Sequence, residues 1–214
     1  MSLTPTLLQQ YDRAAPKRED TETATVALGC FWGPDAKLGA MDGVVRTRVG
    51  YAGGTTPEPT YADIGDHTEA LQIEYDPERL SFADLLDVAF RSHDPRHQVG
   101  KTQYQNIVFA ATAEQRDALS SYLDDSEYDR EGIETRIEPL EGFTLAEPYH
   151  QKYHLQSKRW ATTVFREAGY DGADLRESPA AATLNGYVAG HDVPDAEQLG
   201  VGSSDSPEAD GLQG

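Results

Sequence analysis

Gly29-Cys30-Phe31-Trp32-Gly33-Pro34 joins an apolar strand pattern to a helix pattern, and it carries the single cysteine of the chain. Before it, residues 23–28 alternate small polar and apolar side chains at the period of a strand. After it, Pro34 suits a first helical turn and Asp35 favours the positive end of the helix dipole, so the spacing predicts a short helix over residues 35–41. A thiol at such a turn faces unpaired backbone N–H groups, which favour thiolate and are expected to lower its pKa from about 8.5. Phe31 and Trp32 would make one wall of an apolar pocket beside a nucleophilic sulfur. Free cysteine is often just a buried small hydrophobe, but the flanking glycines and the turn position favour a reactive thiol here.

Downstream, Val45, Thr47 and Val49 alternate with Arg46 and Arg48, the pattern of a half-buried strand. Residues 50–66 are rich in Gly, Thr and Pro and read as a long loop carrying Tyr51 and Tyr61; long loops in compact domains are often functional. A strand is predicted over residues 69–75, with Glu69, Leu71, Ile73 and Tyr75 on one side. Glu69 therefore heads an otherwise apolar face. Desolvation at such a place raises a carboxyl pKa and keeps a proton available, which makes Glu69 a candidate general acid. A helix beginning at Ser81 places Phe82, Leu85, Leu86, Ala89 and Phe90 on one core stripe. A strand over 103–111, a helix over 112–125, a strand over 133–137 and a helix over 157–168 follow. Strand, helix, strand, strand, helix, strand is compatible with an α/β (α+β) fold: a ferredoxin-like split βαβ two-layer sandwich with a mixed sheet and coil extensions. The expected organisation is a loose lead-in over 1–21, a catalytic domain over 22–177, a packed extension over 178–191, and a disordered acidic tail over 192–214.

Composition narrows the function classes. The 214 residues include 37 acidic and 18 basic side chains, a net charge of −19. Such a surface repels nucleic acid and anionic membranes, and neither is expected as a partner. One cysteine leaves no intramolecular disulfide and no cysteine-rich zinc site. His150 and His154 have the i, i+4 spacing of a metal pair, but without a third ligand nearby no metal is expected. No signal-peptide pattern or membrane-length apolar run stands out, so the expected location is cytoplasmic.

The cysteine stretch, followed by Val49-Gly-Tyr-Ala-Gly-Gly54 and Pro59-Thr-Tyr61, resembles the signature of the A-type peptide methionine sulfoxide reductases. The likeness continues through Glu69, the Asp76-Pro77 pair, His93-Asp94-Pro95, Thr102-Gln-Tyr104 and Glu147-Pro-Tyr-His-Gln151, and covers roughly residues 24 to 155. The resemblance implies that Cys30 attacks the sulfur of a methionine S-sulfoxide, free or in proteins. It assigns a proton-donating role to Glu69, assistance at the oxygen to Tyr61 and Tyr104, and the methyl pocket to Phe31 and Trp32. The product on the enzyme would be a sulfenic acid, a reversible rung of cysteine oxidation. The family's C-terminal resolving cysteines are missing, which calls for an external thiol, either small or on a thioredoxin-like protein. No bound cofactor and a monomeric state are expected. The connection before Tyr104 is shorter than in the family, and Val99 stands where the family carries an aspartate; Asp94 and His97 are the candidate substitutes.

Two other classes fit the same thiol. A redox sensor or binding module would bind oxidised methionine without releasing methionine, and a thiol peroxidase would consume peroxide without preference for sulfoxide. Thirteen Arg against five Lys, in so acidic a chain, also resembles proteins adapted to molar cytoplasmic salt, where charges are screened within ~3 Å. On this halophilic hypothesis the folded fraction should rise with KCl; full folding at low salt would remove its main support.

Overall fold

Alternation of apolar side chains builds a sheet with both faces covered. The computed structural model describes residues 2–126, 128, 132–194 and 196–202. In chain order the elements are α1 (Pro5–Ala14), β1 (Glu22–Leu28), α2 (Trp32–Gly39), β2 (Val44–Ala52), β3 (Thr68–Tyr75), α3 (Phe82–Arg91) and β4 (Asn106–Ala110). They continue with α4 (Ala113–Asp125), β5 (Arg136–Pro139), β6 (Phe143–Leu145), α5 (Tyr153–Gln156), α6 (Arg159–Glu167), α7 (Gly172–Glu177) and α8 (Pro179–Val188). The strands form one mixed sheet in the order β5-β4-β1-β3-β2-β6. The β4-β5 pair is parallel and the other pairs are antiparallel. The architecture is mixed α/β.

On one face Val26, Val49, Leu71, Ile73 and Tyr75 meet Leu38 of α2, Leu85, Leu86 and Phe90 of α3, and Leu119 and Leu123 of α4. The stripe predicted for α3 is buried throughout, and Ser81 caps that helix in a capping box with Asp84. Glu69 shares the apolar side of β3 and is 1% exposed. The opposite face buries Ala27, Ala52, Ala70, Ile107 and Phe109. Arg46 and Arg48 also point there and do not lie open to solvent. They meet buried Glu74, with Arg46 Nη1 at 2.5 Å and Arg48 Nη2 at 2.8 Å, and Glu177 of α7 closes the cluster on Arg48. Alternation alone predicts a wet face; the ion pairs allow the chain ends to cover it.

Both ends depart from the sequence expectation. Residues 4–14 are no loose lead-in: the Thr4 hydroxyl accepts the Leu7 N–H, Pro5 opens α1, and Leu8 is fully buried. The 178–191 stretch is more than an extension, because α8 is a core helix with Ala180, Ala181, Leu184 and Asn185 fully buried. It crosses α2 so closely that a Cβ on Gly39 would lie 2.8 Å from the Ala182 carbonyl oxygen, and one on Gly186 would lie 2.6 Å from the Ala40 Cβ. Disorder from residue 192 is corrected as well: residues 196–199 form a 3-10 turn, and Leu199 and Val201 are buried in the core made by α1, α5, α6 and α8. The remaining tail, 203–214, lies outside the described residues. Elements also shift locally. Helix α2 starts at Trp32, the strand predicted from 103 starts at Asn106 after a 3-10 turn, and β6 pairs with β2 where no strand was predicted. Among the described residues no helix is long and apolar enough to cross a membrane.

Candidate active site

Gly29, with φ 73°, turns the chain out of β1 so that Cys30 sits exposed before α2. A left-handed backbone is easy for glycine and costly for most residues. On the neighbouring β3, buried Glu69 reaches the same turn. Its Oε2 accepts the Phe31 N–H at 3.1 Å and its Oε1 accepts from Gln103 Nε2 at 2.7 Å. Burial pushes the Glu69 carboxyl above its ordinary value, against the lowering effect of the bonds from Gln103 and Phe31 and of the Lys101 charge. This is the behaviour expected of a proton donor.

The cysteine differs from expectation. Partial burial raises the Cys30 thiol above its ordinary value; a bond from the Trp32 N–H opposes the rise and the Glu69 charge adds to it. A helix start alone favours thiolate, but here the carboxylate behind the turn and the loss of solvent outweigh it. Tyr104, at the end of the Thr102–Tyr104 turn, completes the group. Its phenol is pushed up by burial, by the charge of Glu69, by its hydrogen bond with Tyr61 and by Cys30. Cys30, Glu69, Tyr61 and Tyr104 therefore share one locality.

The aromatic wall is broader than Phe31 and Trp32. Phe31 is 1% exposed and sits in the core, its ring 5.1 Å from that of His150. Trp32 stacks on Tyr153 at 3.8 Å and donates its indole N–H to His150 Nδ1 at 3.2 Å. Tyr61 packs 4.6 Å from the His150 ring. Tyr61 and Tyr153 stay about two-fifths exposed, so the wall has an open aromatic rim beside the thiol. Burial lowers the His150 pKa while Glu147 raises it, and the net shift is downward, favouring the neutral ring.

Sequence reasoning left Gln103, His150, Tyr153 and Glu147 without roles in this site. In the sequence His150 stands out only by its i, i+4 spacing to His154, while the clustering of Tyr149, His150 and Tyr153 is the signal for the aromatic wall. Among the described residues no group of three or more His, Cys, Asp or Glu side chains is placed to hold a metal. Among the described residues no hydrogen bond joins the candidate substitutes Asp94 and His97 to this network. Asp94 accepts the Arg96 N–H at 3.0 Å in its own turn, and the His97 N–H donates to the Asp94 carbonyl. Val99 is 40% exposed, an apolar side chain where the resemblance calls for an acid.

Comparison with known proteins agrees with this geometry. Residues 22–175 match the family model described as peptide methionine sulfoxide reductase. The chain is 40% identical over 183 residues to peptide methionine sulfoxide reductase A5 of Oryza sativa subsp. japonica, covering 82% of this chain and 71% of that one. It is 42% identical over 171 residues to the peptide methionine sulfoxide reductase of Drosophila melanogaster, covering 78% and 68%. Among solved structures, methionine sulfoxide reductase A of Corynebacterium diphtheriae superposes with a TM-score of 0.55 at 32% identity, covering 68% of this chain and 77% of that one. The reduced form of Mxr1 from Saccharomyces cerevisiae gives 0.56 at 29% identity, covering 66% and 88%. The family match spans well over half of the sequence and both boundary strands of the site, and the chain belongs to the peptide methionine sulfoxide reductase family.

Proposed function

We propose that this protein reduces methionine (S)-sulfoxide, free or within oxidised proteins, to methionine, with Cys30 as nucleophile and Glu69 as proton donor. One observation carries the reading: a buried carboxyl of raised pKa is tied to the backbone beside the only cysteine, under a tyrosine pair and against an aromatic wall. The Cys30 sulfur, as thiolate, attacks the sulfoxide sulfur while the Glu69 proton goes to the oxygen, helped by the Tyr61 and Tyr104 hydroxyls. In the adduct the oxygen passes from the substrate sulfur to the Cys30 sulfur: a new Cys30 sulfur–oxygen bond forms, the substrate sulfur–oxygen bond and the transient sulfur–sulfur bond break, methionine leaves with the electron pair, and Cys30 is left as a sulfenic acid. The substrate sulfur is thereby reduced by two electrons and the cysteine oxidised by two. Phe31 and Trp32 hold the methyl group.

With a single cysteine in these 214 residues, the thiols that recycle Cys30 come from outside them: two external thiols leave as a disulfide, and the oxygen leaves as water. A thioredoxin-like protein or a small thiol fits this role. S-epimer preference rests on the family resemblance. The strand-helix-strand units β1-α2-β2 and β3-α3-β4, with their strands interleaved as β4-β1-β3-β2, support a ferredoxin-like split βαβ reading of the central fold. The apolar Val99 favours a second reading, an oxidised-methionine binding or sensor protein that has lost turnover.

Separate S and R epimers of a blocked methionine sulfoxide distinguish the two readings. With excess dithiothreitol at high KCl, methionine should be released from the S epimer by wild type and not by Cys30→Ser. A folded wild-type protein that turns over neither epimer would support the sensor reading. Glu69→Gln removes the carboxylate that raises the Cys30 thiol, so the pH midpoint for alkylation of Cys30 by iodoacetamide should move down, while the sulfoxide reduction step slows by about 10²-fold or more. An unmoved or raised midpoint would contradict the assigned coupling.

A further inference from the structure

Glu147 serves three parts of the site at once. Its Oε1 accepts the Tyr61 backbone N–H at 2.9 Å and its Oε2 accepts the Tyr51 hydroxyl at 2.7 Å. His150 Nε2 lies 4.0 Å from the same Oε2. Trp32 determines what that nitrogen carries. An indole N–H can only donate, so the His150 Nδ1 that receives it is bare, and the neutral ring holds its proton on Nε2. This Nε2 is buried and has no hydrogen-bond partner among the described residues, so the carboxylate is the charge that it faces.

Each of these contacts leads to the reacting centre. Tyr51 is fully buried and pairs across β2 and β3 with Glu69. Tyr61 sits far along the 53–67 loop, whose base is fastened separately: Asp66 accepts the Thr55 and Thr56 N–H groups at 2.9 Å, and His67 Nε2 meets the Thr56 carbonyl at 2.8 Å. At the tip a local Thr60–Asp63 turn shapes the chain around Tyr61, and Tyr61 is tied to the rest of the site by Glu147 at its backbone, by Tyr104 at its hydroxyl and by His150 at its ring. The bonds from Tyr61 and Tyr51 also hold the Glu147 carboxyl below its ordinary pKa despite its partial burial, so it is ionised at neutral pH.

We infer that Glu147 is a positioning residue for sulfoxide reduction, holding the Tyr61 loop with one carboxylate oxygen and orienting Tyr51 and the His150–Trp32 wall with the other. It acts through Tyr61 and His150 and leaves the proton transfer to Glu69. The inference rests on the sulfoxide reductase reading and adds to it a residue that couples the hydroxyl side of the site to the methyl side.

The test uses Glu147→Ala and Glu147→Gln, alone and in a Tyr61→Phe background, with thermal unfolding as the check on folding. Glu147→Ala should lower kcat about tenfold or more, the loss expected for a charge-assisted hydrogen bond. In the Tyr61→Phe background the further loss should be smaller than in wild type, because the part that runs through the Tyr61 hydroxyl is already gone and only the part through the His150–Trp32 wall remains. A second readout does not need turnover. The other titratable groups packed on His150 are the phenols of Tyr61 and Tyr149, at ring distances of 4.6 and 4.1 Å, so Glu147 is the main charge that raises its pKa. An NMR titration of the His150 imidazole should therefore move to lower pH in Glu147→Gln, a variant that keeps the size and one acceptor oxygen. Equal losses of kcat in both backgrounds, or an unmoved His150 titration, would overturn the inference. If wild type fails to reduce sulfoxide, the reductase reading falls on its own, and the His150 titration still decides whether Glu147 organises this wall.

Discussion

A buried charge pair sets the position of the catalytic turn. Asp35 and Lys152 are both 0% exposed, and Lys152 Nζ lies 3.3 Å from Asp35 Oδ1. The Asp35 carboxylate also accepts from the Thr47 hydroxyl of β2, the Lys152 backbone N–H and Asn185 Nδ2 of α8. The ammonium donates a further bond to the Thr47 carbonyl at 2.6 Å. Taking either charge out of water is expensive, and removing one partner of such a pair costs about 3–5 kcal/mol because the other is left alone. Lys152 adopts a left-handed backbone with φ 51° to complete the arrangement, at about 1–2 kcal/mol for a non-glycine residue. The result is a fixed distance between the first turn of α2, which follows Cys30, and the chain just after His150. The pair reinforces the Trp32–His150 hydrogen bond, which joins the same two segments, and the bonds of Gln151 to the Val49 backbone, which tie the chain after His150 to β2.

The chemistry depends on two opposed environments only one residue apart. Cys30 is exposed at the turn, while Phe31 is in the core and its N–H is spent on Glu69. The carboxyl therefore sits behind the sulfur, dry on its own side, with its pKa raised by burial and its orientation held by Gln103 and the Phe31 N–H. Low local polarity strengthens each of these interactions and makes an unpaired carboxylate costly, which is the environment the proposed proton donor requires. Once ionised, the same carboxyl opposes ionisation of Cys30. Acid and nucleophile are thus coupled in the proposed reaction, where transfer of the Glu69 proton to the substrate oxygen would accompany bonding at the thiol sulfur.

Local pattern was enough for the parts of the fold made by neighbours in sequence. Alternation marks β1, β2 and β3, the i, i+3, i+4 stripe marks α3, and the parity of β3 by itself places Glu69 on the apolar side. What escaped depends on partners far away in the chain. Helix α8 is rich in alanine and carries Asn185 and Gly186, so composition suggests an appendage; its burial comes from a close crossing with α2 and from Asn185 reaching Asp35, 150 positions earlier. Arg46 and Arg48 read as a solvated face because nothing local announces that Glu74 and Glu177 neutralise them. Nothing in local pattern pairs Lys152 with Asp35, 117 positions earlier, and Asp35 reads only as a residue at a helix start. In the site, Gln103 sits in a 3-10 turn where no periodic pattern marks a buried side chain, and the environment of His150 is assembled from the turn after β1 and the 53–67 loop.

The account stands or falls on oxygen transfer from the substrate to Cys30. The most direct measurement is a single turnover of methionine S-sulfoxide by the fully reduced protein with no added thiol, quenched and examined by mass spectrometry with a sulfenic acid trap. The account predicts one methionine released per protein, with the trap attached to Cys30 in the same proportion. Methionine formed only after thiol is added, or formed while Cys30 stays a free thiol, would contradict it.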